Sequence, residues 1–319
     1  MKAFNRRQFL KVLSVSPLTI PMIPATAGAN ACQVQHPLMP PDQRFQGQCP
    51  VCGMTRPMWA RTWITFDPIK DVSQVCSFHC LADWALKSGQ DPQNVMLTVY
   101  HQPEQSIPAS RAFIVLGSAA AGTMSPVSKI VFSDKAAANR FAADCGGAVV
   151  DYAKALLTAK TSVIEDNHAI NTRRLAQGKI VEPTDGDHCI VCGMFPSRYP
   201  YGKCQIQTKD GRTLHFCSTQ CLFAFLGRQT LYIKPAVTPL LIWVVDRNTG
   251  MWISGRTAFY VIGSSKVFGP MGHEAFPFNS LQEADAFAAE NGGTTAIFRE
   301  VTIDKVVPLW KYPAGQSDN

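Results

Sequence analysis

The chain has 319 residues, of which 46% are hydrophobic and 17% charged, so it can form one or two cores and is not disordered over most of its length. The formal charge is +7, but four basic residues lie before position 32, where there is no acid, and the rest of the chain has a charge of only +3. This small excess does not indicate binding to nucleic acid or to anionic lipid.

Residues 1–31 have the layout of a secretory signal peptide. A basic start and an apolar middle precede small residues spaced as Ala25-x-Ala27 and Ala29-x-Ala31. Arg6-Arg7, followed by Phe9-Leu10-Lys11, resembles the twin-arginine signal of proteins that are exported in the folded state. The sequence therefore predicts an exported, periplasmic protein that is a client of the twin-arginine export machinery.

Cys32 directly follows Ala31 and raises the alternative of a lipid anchor. Ala29 stands where a lipoprotein signal usually has leucine, and this favours the unanchored form.

The rest of the chain contains one unit twice. Two cysteine motifs recur at almost the same spacing, and two later segments match as well, residues 111–118 with 257–264 and residues 138–150 with 284–296. We predict a signal peptide over 1–31, unit 1 over 32–165, a linker over 166–184 and unit 2 over 185–319.

Each unit is predicted to be α+β, with short antiparallel strands and two short helices. In unit 2, Asp210-Gly211 predicts a hairpin over residues 201–216, and Ser218 predicts the N-cap of a helix that ends at Gly227. The other predictions, in chain order, are a strand over 59–66, strands over 239–246 and 257–264, a capped helix over 280–293 and a final strand over 295–303.

Four cysteines of each unit have metal-ligand spacing. In unit 2, Cys217 precedes the predicted helix and Cys221 lies in its first turn, where backbone N–H groups and the helix dipole favour thiolates. A C-x-x-C pair upstream completes four thiolates, which suit tetrahedral zinc. The four are Cys189, Cys192, Cys217 and Cys221 in unit 2, and Cys49, Cys52, Cys76 and Cys80 in unit 1.

Methionines and a histidine make copper an alternative to zinc, because a thioether is a poor ligand for zinc and a good one for Cu(I). Met54 and Met194 directly follow the Cys-x-x-Cys-Gly segments of the two units. In unit 2, Met271 and His273 stand two residues apart and would point the same way in an extended segment. Unit 1 has Pro126 at the position of that histidine.

These motifs in order resemble the NosL family, the copper-binding accessory proteins of nitrous oxide reductase maturation. The resemblance rests on the Cys-x-x-Cys-Gly-Met opening, the Phe-Cys-Ser-Thr stretch, the "FYVIGS" strand, the Met-Gly-His segment and the "EADAFAAENGG" helix. It implies a small α+β fold and a non-enzymatic carrier of Cu(I) that passes copper to an exported copper-requiring enzyme. It implies Cys192, Met271 and His273 as the main ligands, with Cys189 and Met194 beside them.

Two alternatives from other functional classes stay open. Cys80 and Cys221 make each unit similar to the TRASH and YHS metal-binding modules, so the units could be structural or sensing zinc modules. A thiol–disulfide oxidoreductase also uses C-x-x-C, but no phosphate loop, nucleophile elbow or carboxylate pair supports an enzyme. Cys145 and Cys204 are predicted to be ordinary buried thiols. His79 and His215 are predicted to be half-buried strand residues and not ligands, although His79 could serve a site in unit 1.

Overall fold

A computed structural model describes residue 32, residue 38 and residues 41–307 of the chain. The predicted signal peptide with Arg6-Arg7 lies outside the described residues, as does the end of predicted unit 2 beyond residue 307.

Unit 1 begins with a four-stranded antiparallel sheet of order β2-β1-β3-β4. Its elements are α1 (Arg56–Trp59), β1 (Ile64–Ile69), β2 (Val72–Val75), α2 (Phe78–Ser88), β3 (Met96–Val99) and β4 (Gln102–Pro108), with 3₁₀ turns at Ala60–Thr62 and Ala109–Arg111. The strand predicted over 59–66 is wrong in its first half. Pro57 lies in the first turn of α1, where its fixed φ favours a helix, and the chain becomes extended only after Thr62.

The second part of unit 1 is a three-stranded antiparallel sheet of order β6-β5-β7 with one helix, followed by a long helix. These elements are β5 (Phe113–Leu116), β6 (Lys129–Phe132), α3 (Lys135–Cys145), β7 (Ala148–Val150) and α4 (Tyr152–Ala176). Asp151 caps α4 by accepting a hydrogen bond from the N–H of Lys154. The predicted end of unit 1 at residue 165 falls inside this 25-residue helix, and the domain limits stay predictions.

Unit 2 repeats the two sheets in the same topology, with orders β9-β8-β10-β11 and β13-β12-β14. Its elements are β8 (Cys204–Thr208), β9 (Thr213–Phe216), α5 (Thr219–Gly227), β10 (Pro239–Val245), β11 (Trp252–Ser254), β12 (Phe259–Ile262), β13 (Ala275–Phe278), α6 (Leu281–Asn291), β14 (Thr294–Ile297) and α7 (Ile303–Val306). Further 3₁₀ turns occupy Pro196–Arg198, Gln229–Leu231 and Phe298–Glu300. The protein is therefore α+β, as predicted, and built from two like units.

The local signals of unit 2 are confirmed over most of its length. The hairpin forms between β8 and β9, the Ser218 side chain caps α5, and α5 ends at Gly227. The predicted final strand is wrong beyond Ile297. The Glu300 carboxylate accepts a hydrogen bond from the Ile297 N–H at 3.0 Å and closes a 3₁₀ turn there, which ends the strand.

The core of unit 1 extends into unit 2. Along β12, Phe259 and Val261 pack into the large cluster of unit 1, whereas Tyr260 faces the core of unit 2. Trp84 of α2 stacks on Phe259 with 5.8 Å between ring centroids and 5° between planes. Because the strand is buried on both faces, the units form a continuous packed structure.

A disulfide joins Cys32 to Cys145, with 5.4 Å between Cα atoms. The prediction that Cys145 is an ordinary buried thiol is therefore wrong, because its sulfur is bonded to a residue 113 positions away that local sequence could not pair with it. Cys204 is a buried free thiol, as predicted. Among the residues that the structure describes, no helix is both long enough and apolar enough to cross a bilayer.

Candidate metal centres

The Cys-x-x-Cys-Gly-Met segments form tight loops. In unit 2, the Cys189 N–H donates to the Met194 carbonyl and the Gly193 N–H donates to the Cys189 carbonyl, both at 2.8 Å. Gly193 has a φ of +77°, a region that side-chain-bearing residues rarely adopt. The loop at Cys49–Met54 of unit 1 repeats both hydrogen bonds at 2.8 Å. This closure fixes the positions of the two cysteines in each loop.

The second cysteine pair of each unit lies at a helix N-terminus. Ser77 caps α2 by accepting from the Cys80 N–H at 3.4 Å, and Ser218 caps α5 by accepting from the Cys221 N–H at 3.1 Å. The preceding cysteine of each pair is fully buried. Backbone N–H groups at the two helix starts, those of Cys76 and Cys217, donate to the sulfurs of Cys49 and Cys189 and, with the helix dipole, favour an anionic sulfur there.

The four sulfurs of each unit come together. All four in a unit lie within 4.8 Å of one another, and between residues 41 and 307 neither group includes a histidine or a carboxylate. In unit 2, the sulfur of Cys217 lies 3.4 Å from that of Cys192 and 3.8 Å from that of Cys221. A tetrahedral ion with metal–sulfur bonds of about 2.3 Å needs sulfur–sulfur distances of about 3.8 Å. Each group therefore has the ligand chemistry and spacing of a metal centre.

Protons are shared unequally within the unit 2 group. The thiols of Cys217 and Cys221 donate hydrogen bonds to the sulfur of Cys189, which lowers the pKa of Cys189 to about 2. The same hydrogen bonds raise the pKa of Cys217 and of Cys221 well above the usual thiol value. Without metal, one thiolate is thus held by protonated neighbours, and a bound metal ion would displace their protons.

Unit 1 has the same pattern around Cys49. Burial raises the pKa of Cys49, but hydrogen bonds from Cys52, Cys76 and Cys80 outweigh it and bring this pKa well below the usual thiol value. Burial raises the pKa of Cys76, and hydrogen bonding to Cys49 raises that of Cys80.

The Met271–His273 segment docks on the helix that carries Cys221. The side-chain NH₂ group of Gln220 faces two backbone carbonyls and donates to that of Met271 at 3.0 Å and that of His273 at 2.7 Å. Met271 is half-buried against the unit 2 core, which includes three of the four cysteines. His273 is exposed, and its ring lies 5.4 Å from that of Phe268. The segment is therefore docked on the first turn of α5, and the His273 ring is outside the cysteine group.

Met54 and Met194 are both half-buried, each against the core of its own unit. Their backbone carbonyls accept the hydrogen bonds that close the cysteine loops, which is the role that the structure shows for them.

Glu274, next to His273, is a site residue that the sequence analysis did not single out. Its side chain is 4% exposed and accepts hydrogen bonds from the Thr219 hydroxyl at 2.7 Å and the Thr219 N–H at 3.3 Å. Its other carboxylate oxygen is buried without a hydrogen-bond partner. Burial raises the pKa of Glu274 to about 7, although the Thr219 hydrogen bonds oppose this. Glu274 directly precedes the apolar residues 275–278, and this acid next to a buried strand was the sequence signal that could have identified it.

The same helix position in unit 1 has another role. His79, which corresponds to Gln220, is fully buried in α2, so the prediction of a half-buried strand residue is wrong. Its ring nitrogens lie 3.2 Å from Asn167 Oδ1 and 3.4 Å from Asp166 Oδ2, both on α4. His215 is on strand β9, as predicted, and is buried. Through its contacts with Asn167 and Asp166, His79 connects α2 to α4.

Comparison with known proteins gives one family. The family model NosL matches the chain twice, over residues 43–156 and 180–306. The chain is 30% identical over 127 residues to the copper-binding lipoprotein NosL of Stutzerimonas stutzeri, covering 37% of this chain and 63% of that protein. It is 42% identical over 53 residues to the copper-binding lipoprotein NosL of Achromobacter cycloclastes, covering 17% of this chain and 28% of that one. The chain thus matches less than two thirds of the length of these curated relatives.

A solved structure also matches. The crystal structure of the copper chaperone NosL from Shewanella denitrificans is 30% identical in sequence, and the match covers 39% of this chain and 95% of that one with a TM-score of 0.34.

Proposed function

Since the chain belongs to the NosL family, we propose that it is an exported Cu(I)-binding protein that carries copper to a copper-requiring enzyme outside the cytoplasm, of the nitrous oxide reductase type. Curated relatives are named copper-binding lipoproteins, and a solved one is named a copper chaperone. These names support binding of copper and an exported location. The recipient enzyme and the twin-arginine route are part of the proposal.

One observation supports exchange of copper at unit 2. Cys192 is exposed, while the other three cysteines of its group are buried. A carrier has to release its ion to a partner. At the exposed edge of the group, here called the rim, a ligand of the partner can take the place of the Cys192 sulfur on the ion. The Met271–His273 segment docks on the first turn of α5 through its backbone carbonyls, and we propose that its thioether and imidazole act together with Cys192 in holding copper.

We assign ligand roles on this basis. Cys192 is the main thiolate ligand, with Cys189 beside it, and Met271 and His273 supply the soft and imidazole donors that suit Cu(I). Met194 belongs to the main set beside Cys189, whereas Cys217 and Cys221 are secondary. The equivalent set of unit 1 is weaker because Pro126 stands in place of the histidine.

Competition for Cu(I) with a chromophoric chelator, in the full-length reduced protein, tests this assignment. Cys192→Ser should lower the Cu(I) affinity by about two orders of magnitude or more, because the only rim thiolate is lost, and Met271→Ala and His273→Ala should lower it by less. Cys52→Ser in unit 1 is the matched control and should have little effect on this affinity. If Cys192→Ser leaves the affinity unchanged, copper does not bind at this rim.

The second candidate function is a pair of zinc modules without transfer activity, which four thiols in each unit favour. Under that alternative, unit 2 would bind zinc through all four cysteines and would be indifferent to Met271→Ala. Zinc and copper contents of the wild type and of these variants, measured on protein purified from the periplasm under reducing conditions, separate the two.

A thiol–disulfide oxidoreductase is the third candidate. Reduction of insulin disulfides above the rate of a Cys189→Ser variant would promote it over the other two.

A further inference from the structure

The two cysteine groups have the same residues in different surroundings. In unit 1, Cys52 is 8% exposed and the other three cysteines are 0% exposed. In unit 2, the residue that corresponds to Cys52 is Cys192, which is exposed. The two cysteine loops have the same backbone hydrogen bonds, so the difference in exposure between Cys52 and Cys192 comes from the residues that pack on each loop.

Unit 2 covers the cysteine loop of unit 1. A Cβ atom placed on Gly53 would lie 2.2 Å from Cδ2 of Leu241, on strand β10, whereas a Cβ atom on the equivalent Gly193 would meet nothing within 4 Å. Ser254 of β11 donates to the Pro50 carbonyl at 3.1 Å and ties the same loop to unit 2. Among the described residues, none approaches Gly193 in this way, so within this part of the chain the loop of unit 1 is enclosed by the other unit and that of unit 2 is not.

Helix α4 completes the cover. Arg174 donates to the Cys52 carbonyl at 3.5 Å, and its guanidinium lies 4.6 Å above the ring of Trp243 in β10. Asn167 fastens α4 to α2 by donating to Asp83 at 2.9 Å. In unit 2 the last strand is followed instead by the four-residue α7, which packs on α5.

We propose that the cysteine group of unit 1 is a closed structural zinc site that is sealed by α4 and unit 2. A site with four protein ligands and no open position is typical of structural zinc, whereas a site that exchanges its ion keeps a position open. The ion enters this group before unit 2 packs on the loop, and once bound it holds the interface between the units. This inference goes beyond the copper proposed for unit 2 and does not depend on it.

When all four sulfurs bind as thiolates, the net charge favours zinc over Cu(I) at this position. Four thiolates have a net charge of about −2 with Zn²⁺ and about −3 with Cu(I), and the cost of burying charge rises steeply with its magnitude. The group is buried, with Cys52 8% exposed and the other three cysteines 0% exposed, and the neighbouring guanidinium of Arg174 is directed at a peptide carbonyl. At the exposed rim of unit 2, water reduces this difference, and Cu(I) can bind through fewer thiolates.

Zinc content of matched cysteine variants of the full-length chain gives the first test. After prolonged exposure to EDTA at neutral pH under reducing conditions, wild type should keep one zinc ion per chain, and elemental analysis measures it. Cys217→Ser, in unit 2, should keep this ion, and Cys76→Ser, its counterpart in unit 1, should lose it. The proposal would be overturned if Cys76→Ser keeps its zinc or if Cys217→Ser loses it. Copper in place of zinc in the wild type would overturn it as well.

Variants of the cover give the second test and keep every cysteine. Arg174→Ala and Leu241→Ala should release zinc to a chromophoric chelator at least about tenfold faster than wild type, because each removes packing that holds the loop shut. Ile164→Ala is the control, since Ile164 is 75% exposed on α4 and should not change the rate. Equal release rates in wild type and both cover variants would show that the site is not sealed in this way. Cys192→Ser separates the two proposals, because it should lower Cu(I) affinity and leave the zinc content unchanged.

Discussion

The buried carboxyl group of Glu274 makes a quantitative prediction about stability and pH. The pKa of this group is raised from 4.5 to about 7 in the folded protein. Between these two values the folded state binds a proton that the unfolded state has released, so stability falls as the pH rises from 4.5 towards 7 and levels off above 7. One pKa unit corresponds to about 1.4 kcal/mol, so the full penalty is about 3 kcal/mol, of which about 2.5 kcal/mol develops between pH 5 and pH 8.

Glu274→Gln removes this titration. The glutamine oxygen can still accept from Thr219, but its NH₂ group would replace an oxygen that is buried without a partner. That unsatisfied donor costs about 1–3 kcal/mol at every pH, so the absolute stability of the variant is not the informative quantity. The difference in stability between wild type and variant should instead shift by about 2.5 kcal/mol in favour of the variant between pH 5 and pH 8.

Urea unfolding followed by tryptophan fluorescence, in reductant and chelator, measures this difference at each pH. Glu283→Gln is a suitable control, because it is the same substitution at a half-exposed position on α6. If the stability difference between wild type and Glu274→Gln is the same at pH 5 and pH 8, the carboxyl group is not held in its protonated form by burial.

Three further predictions concern the interface, the disulfide and export. Trp84→Ala should destabilise the protein by about 3–5 kcal/mol. A double-mutant cycle in denaturant unfolding should give a coupling energy with Phe259→Ala of about 0.5–1.5 kcal/mol, because the two rings stack. If the effects of the two substitutions on stability are additive, the two rings do not interact across the units. Mass spectrometry of the unreduced mature protein should find Cys32 linked to Cys145, and a diacylglycerol group on the Cys32 sulfur would exclude this bond. Replacing Arg6 and Arg7 with lysine should leave the precursor in the cytoplasm, and normal export on fractionation would refute the twin-arginine route.

Local signals predicted the parts of the fold that depend on neighbouring residues. Asp210-Gly211 specifies a hairpin turn, and Ser218 specifies a helix start, because each acts on backbone groups within a few positions. The cysteine groups were predictable for the same reason, since each pair is placed by its own loop or helix end. Internal repetition then predicted that the second unit would have the same topology as the first.

Contacts between distant segments were out of reach of the sequence. The pairing of Cys32 with Cys145 and the packing of Leu241 against Gly53 join residues more than 100 positions apart. His79 lies between two cysteines and looked like a strand residue or a ligand, yet it binds α4. Nothing in the local pattern shows which of the two cysteine loops the other unit covers, so the difference in exposure between Cys52 and Cys192 had no signal of its own.

The differences between the units extend to the groups that dock the Met271–His273 segment. In unit 2, Gln220 and Thr219 hold this segment on α5, with Glu274 between them. The corresponding residues of unit 1 are His79, Phe78 and Val127. Phe78 and Val127 have no polar side-chain group, and the ring of His79 contacts α4 instead. Adding the missing histidine at Pro126 would therefore not recreate the unit 2 rim, because its segment would lack this docking and the cysteine loop beneath α4 would still be enclosed. The absence of the histidine, the absence of the docking groups and the cover by unit 2 are all expected of a unit that holds a structural ion, as we propose for unit 1.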